Sequence, residues 1–157
     1  MTLSIDTRNI ITEIYALSAL HYSQNRTASR PEMLTGDYDE LLGVAVTDAL
    51  AMALMMLGRH LRESSLEDGV VRRMVTVSVD LDASGADMQT LRRSLEHIAV
   101  HDVMALALSS DTTAAAQRAA EWHRISADRS RDTLRDTVRR IEHTALFRGA
   151  RITPHRW

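Results

Sequence analysis

The chain contains no cysteine and no lysine. Without cysteine it can form neither disulfides nor thiolate metal sites, which fits a reducing compartment. Without lysine, all 19 basic residues are arginine. Arginine gives planar, bidentate contacts to carboxylate and phosphate, and a GC-rich genome leaves the same bias. Aromatic residues are only 4% of the 157, so Leu, Ile, Val, Ala and Met must fill the core. No long apolar run is present: "VAVTDALAMALMML" (44–57) is too short to span a bilayer and holds Asp48, so it reads as a buried core helix. Asp6, Arg8 and Glu13 interrupt any signal peptide. The expectation is a soluble protein with no membrane contact, cytoplasmic in a bacterial host, or carried in a virion if a phage encodes it.

Catalytic signatures are missing as well. There is no Gly-x-Ser-x-Gly elbow, and the six glycines are too scattered for a phosphate-cradling loop. Neither Glu-x-x-His nor His-Glu-x-x-His occurs, which removes the usual di-iron and zinc-protease patterns. The chain is therefore expected to be no enzyme and to need no cofactor.

What is present is one domain's worth of helical periodicity. Ile10, Ile14, Leu17 and His21, flanked by Ile11, Ala16 and Leu20, predict a first helix over residues 6–22. A polar loop, "SQNRTASRPEMLTG" (23–36), follows. The second helix is predicted from Asp37, with Glu40 completing a capping box, to about Arg62. Leu42, Val46, Leu50, Ala53, Leu57 and Leu61 cover one side of it; Leu41, Val44, Met52 and Met55 cover the other. A helix apolar on two sides is either central to the fold or shared with a second subunit. The third helix, capped by Asp87, is predicted over 88–109 with a stripe of Met88, Leu91, Leu95, Ile98, Ala99 and Leu106. The fourth, over 113–145, carries Ala116, Ala120, His123, Ala127, Ser130, Leu134, Val138, Ile141 and Ala145. Short connections favour antiparallel neighbours. The predicted fold is mainly α: an antiparallel four-helix bundle over 1–146 with one β-element at about 70–83, then a basic tail, 147–157.

Charge is unevenly spread. Residues 1–117 hold nine Arg against 16 acids, and residues 118–157 hold ten Arg against five. Asp128, Asp132 and Asp136 precede arginines by three or four residues, so much of that positive charge reads as a solvated ion-pair face. In the tail "FRGARITPHRW", Arg148, Arg151, His155, Arg156 and Trp157 are suited to phosphate contact and stacking without sequence specificity.

The stretch "MVTVSVDLD" (74–82) has the opposite periodicity. Val75, Val77, Val79 and Leu81 alternate with polar residues, the mark of a half-buried strand. Partners within the chain are short: "TLSID" near the N-terminus and "ARIT" near the C-terminus. A lone two-stranded pairing is marginal in water, so this strand is expected to add across a subunit boundary. Trp122 and Ile125 lie opposite the fourth helix's core stripe and are candidate partner anchors, as is Trp157; a fold-back covering Trp122 within one subunit is the alternative. The candidate interface is thus Val75, Val77, Val79, Leu81, Trp122, Ile125, Arg151 and Trp157. His21, Asp48, Asp102 and His123 fall on otherwise buried stripes; if the bundle held a metal they would be its ligands, and otherwise a buried Asp102–His123 pair would satisfy both. His97 and His101 have chelating spacing but are expected to project away from the core.

A small helical subunit with an inserted β-element, "GVVRRMVTVSVDLDAS" (69–84), and a basic aromatic-ended tail, "FRGARITPHRW" (147–157), resembles the head-to-tail adaptor (connector) proteins of tailed bacteriophages. The resemblance is architectural, over roughly residues 6–157. It implies a ring-forming, non-enzymatic assembly subunit that meets its own copies and a portal or tail protein around a DNA channel. Two other expectations stand beside it: a metal-dependent bundle enzyme using the core His and Asp residues, and a DNA-binding regulator working through the Arg-rich C-terminus.

Overall fold

A computed structural model describes residues 1–24, 33–67 and 70–149, with side chains described as far as Ala145. The described residues are mainly helical, with four helices and a small three-stranded antiparallel sheet. Strand β1 is Thr2–Asp6, with Leu3 and Ile5 turned inward and Thr2 and Ser4 outward. Asp6 then accepts a hydrogen bond from the Arg8 backbone N–H at 3.0 Å. That satisfies one free donor at the start of helix α1, Thr7–Gln24.

A 3₁₀ turn, Gly36–Tyr38, leads into α2, Asp39–Met55. This helix stops about two turns short of the expected Arg62. Gly58, at φ 53°, adopts the left-handed conformation that ends helices, and a 3₁₀ turn at Gly58–His60 redirects the chain. Leu61–Ser64 then forms strand β2, and Met74–Val79 forms strand β3. Between them, Val71 packs over Gly43 of α2 so closely that a β-carbon there would sit 2.8 Å from a Val71 methyl group.

The sheet order is β1-β3-β2, which places β3 in the middle. Leu3 lies opposite Val77 and Ile5 opposite Val75, while Leu61 lies opposite Val79 across an irregular register. Hydrogen bonds continue past the strand ends, from Val79 N–H to Met1 C=O (2.8 Å) and from Asp80 N–H to His60 C=O (2.8 Å). Both edges of β3 are therefore occupied by the chain itself. Val75, Val77 and Val79 are fully buried in the main core beside Leu3, Ile5, Ile10 and Ile14. Burial stabilises each such side chain by about 1.5–3 kcal/mol relative to exposure. The expectation that these three valines face another subunit is overturned, because "TLSID" and the segment after Gly58 shelter them. Leu81, just beyond the strand, is half-buried against the same core.

Helix α3, Gly85–Ser109, starts at Ser84, not Asp87: the Ser84 hydroxyl accepts from the Asp87 backbone N–H, and the Asp87 carboxylate accepts from the Ser84 N–H, a capping box. It packs against α1, α2 and α4 (Ala114–Gly149). Alanines 116, 120 and 127 are fully buried on α4 and let α3 come close.

Candidate functional site

The small side chains of α4's first half leave room for one large polar group in the interior, and His123 takes it with no solvent exposure. His21 of α1 approaches from one side, Nε2 to Nε2 at 2.9 Å. His101 of α3 approaches from the other, Nδ1 to Nδ1 at 2.8 Å. A neutral imidazole has one N–H and one lone pair. His123 must therefore donate to one neighbour and accept from the other, and the three rings form one directional chain. Trp122 packs edge-on to all three rings, its centroid 4.8 Å from His123 and 5.5 Å from His101. His97 extends the row, its ring 6.2 Å from that of His101.

Burial disfavours the charged form of His21, His101 and His123. It pushes His123 down to about 3, helped by the neighbouring histidines, and His101 down to about 4, helped by His97. His21 is lowered by the same desolvation. The cluster is neutral at neutral pH.

The expected ligand set is only half assembled. His21 and His123 meet, but Asp48 lies on the exposed side of α2. Asp102 pairs with Arg131 at 2.5 Å, both half-buried, and not with His123. His101 joins the cluster it was expected to avoid. Because His21 and His101 address different nitrogens of His123, one ion cannot engage all three in this arrangement; among the described residues no group of three His, Asp or Glu is placed to hold one. The i, i+4 relation of His97 and His101 was visible in the sequence. The side of α3 that α4 covers was not.

A second feature is apolar surface. Leu41, Val44, Asp48, Met52 and Met55 follow three- and four-residue spacing along the outer side of α2. Leu41 and Met52 are each 67% exposed and Met55 71%. Among the described residues, nothing covers the side expected to be buried or shared. Leu106 of α3, expected in the core, is 66% exposed. Together with Leu41 it flanks a cavity of about 360 Å³ between α2 and α3, floored by Leu42, Val103 and Met104. In a separate cleft beside Val71 and Arg73, Tyr15 donates to Asp39 at 2.5 Å, and burial with that carboxylate raises the phenol to about 12.

On α4, Trp122 and Ile125 are exposed, Trp122 with half its surface. Its inner edge covers the histidines, so the indole serves the chain's own packing as well as its surface. Arg131, Arg135 and Arg139 pair with Asp128, Asp132 and Asp136 as the spacing predicted, and Arg140 reaches Asp87 at 2.6 Å. Arg151, His155, Arg156 and Trp157, the tail anchors, lie outside the described residues, as does the Arg148 side chain. Among the described residues no helix is long and apolar enough to cross a membrane. In comparisons with known proteins, the chain matches no family model, no curated protein and no solved structure.

Proposed function

We propose that the protein is a non-enzymatic assembly subunit, comparable to a phage head-to-tail adaptor, that associates with copies of itself through the outer side of α2. The observation that carries this reading is the stripe of Leu41, Val44, Met52 and Met55, continuous with Leu106 and the cavity beside it. Exposed apolar surface of this kind marks contact sites, and methionine adapts to the surface it meets. The sheet has no part in the contact, since β3 is enclosed. Asp48, alone in the stripe, sets register by requiring a partner when covered. In this reading the bundle is a rigid body, with Trp122 and Ile125 a secondary contact and the basic tail a further arm toward a portal or tail protein. The setting is a bacterial cytoplasm or a virion, and any DNA contact follows charge, not sequence.

Sedimentation velocity across a concentration series tests it. The unaltered chain self-associates, and Met52→Glu with Met55→Glu, both outside the core, holds it monomeric with an unchanged circular dichroism spectrum. An unaltered chain that stays monomeric at the highest concentration removes the reading.

A further inference from the structure

The stripe on the outer side of α2 has nearly the same composition from either end. Asp48 stands at its centre. Three residues to either side of it are Ala45 and Ala51, four to either side are Val44 and Met52, and seven to either side are Leu41 and Met55. Those offsets fall on one side of a helix. All six flanking residues are apolar; the four large ones are exposed and the two alanines half-buried.

Charge is opposite at the two ends. Asp37, Asp39 and Glu40 crowd the start of α2, and Arg59 and Arg62 come just after its end. Asp37 and Arg59 are each 11 residues from Asp48, and the Arg59 side chain is 81% exposed even while it reaches Glu142. Reversing α2 about its midpoint therefore lays apolar on apolar, acid on base and Asp48 on itself. A two-fold contact requires this, since residue i must meet j wherever j meets i. A parallel pairing would set the acidic ends together and the arginines together.

Resting on the reading of α2 as a contact between copies, we propose that two copies pair antiparallel along α2, about a two-fold axis through Asp48. Leu41 of one copy then packs on Met55 of the other and Val44 on Met52, while the alanines let the helices approach closely beside the axis. Such a contact closes at two copies. The two Asp48 carboxyls face each other across the axis. Asp48 makes no ion pair or hydrogen bond with a described residue. On α3, behind α2, Asp102 turns to Arg131 and Glu96 to Arg92. Two carboxylates covered together must share a proton, which costs affinity. Asp48 thus fixes the register and limits the strength, and the contact stays reversible.

Because the chain has no cysteine, its register can be read by introducing single thiols. Under mild oxidation Asp48→Cys is expected to give a disulfide-linked dimer, since equivalent positions beside the axis come within disulfide reach. Leu41→Cys alone and Met55→Cys alone are expected to stay unlinked, because like positions stand about 21 Å apart along the helices. Mixed, these two chains should link to each other. Asp48→Asn should tighten the dimer about tenfold in sedimentation velocity at neutral pH, the equivalent of holding a carboxyl about one unit from its ordinary value. All three positions are exposed, so the substitutions leave the core intact. The two-fold arrangement is overturned, with self-association still standing, if Met55→Cys links to itself as readily as Asp48→Cys. The same holds if Asp48→Asn associates no more tightly than the unaltered chain. An unaltered chain that stays monomeric removes both.

Discussion

Acid should weaken this protein well before its carboxylates titrate. His123 is buried and neutral, held at about 3 by desolvation and its histidine neighbours, whereas an unfolded chain titrates it near 6.5. Above the unfolded value neither state binds the proton and stability is complete. As pH falls below about 6.5 the unfolded chain takes up protons that the folded one refuses, so stability declines until the folded value is reached. At about pH 4 the difference spans roughly 2.5 pH units, and at about 1.36 kcal/mol per unit His123 alone removes about 3 kcal/mol. His101 and His21 are lowered too and act in the same direction. Against a typical total of about 5–15 kcal/mol, that loss is large. Asp87, held low by the Ser84 hydroxyl and then Arg140, and Glu142, held low by Arg59 and His60, also lose stability in acid. They do so only below about pH 4.5, where unfolded carboxylates begin to protonate. Glu96, raised by burial, takes up its proton in the folded state first and gains stability as pH falls toward about 4.5, which offsets part of the histidine loss. Between about pH 6.5 and 4.5 the net slope is therefore set by the histidines against Glu96. Urea melts at half-unit steps across this interval, followed by circular dichroism and by the emission of Trp122 against the cluster, measure the slope. His123→Gln should flatten it, whatever its effect at neutral pH. A flat profile in the unaltered chain, or an equal slope in His123→Gln, would refute the reasoning.

Two other substitutions check the sheet and the helix stop. Ile5→Ala empties a site with no solvent exposure opposite Val75; a loss of about 2–5 kcal/mol in urea unfolding is expected. Gly58→Ala places a β-carbon on a residue at φ 53° with nothing packed against it, so strain alone should cost about 1–2 kcal/mol, read as a lower midpoint with an unchanged m-value.

The helices were legible because their signal is local. Three- and four-residue spacing gave α1, α3 and α4 to within a few residues, and Ile10, Ile14, Leu91, Leu95 and Leu134 are buried as the stripes required. β3 was visible by alternation. Of its partners, "TLSID" was named and discounted because it offers only two inward side chains, while β2 lay hidden inside an apparent continuation of α2. Gly58 was the cue: glycine just past the last helical turn is a stop signal, but apolar Leu57 and Leu61 on either side kept the helical pattern going. The His21–His123 encounter was suggested by their stripes. His101 was misplaced because α3 meets α1 and α2 as well as α4, and a helix with three neighbours has no single inward side that periodicity can identify.

The middle position of β3 bears on how a nascent chain becomes this structure. β2 and β3 are close in sequence and can pair soon after both have left the ribosome, whereas the Met1–Val79 bond joins residues 78 apart. Strand β1 precedes β3 in the chain and must wait for it to be made. Until it arrives, a valine-rich strand has one bare edge, the situation in which chains cross-pair and aggregate. Slow closure of that edge, a loop-entropy cost set by the distance along the chain, makes strand β1 the gatekeeper of correct maturation.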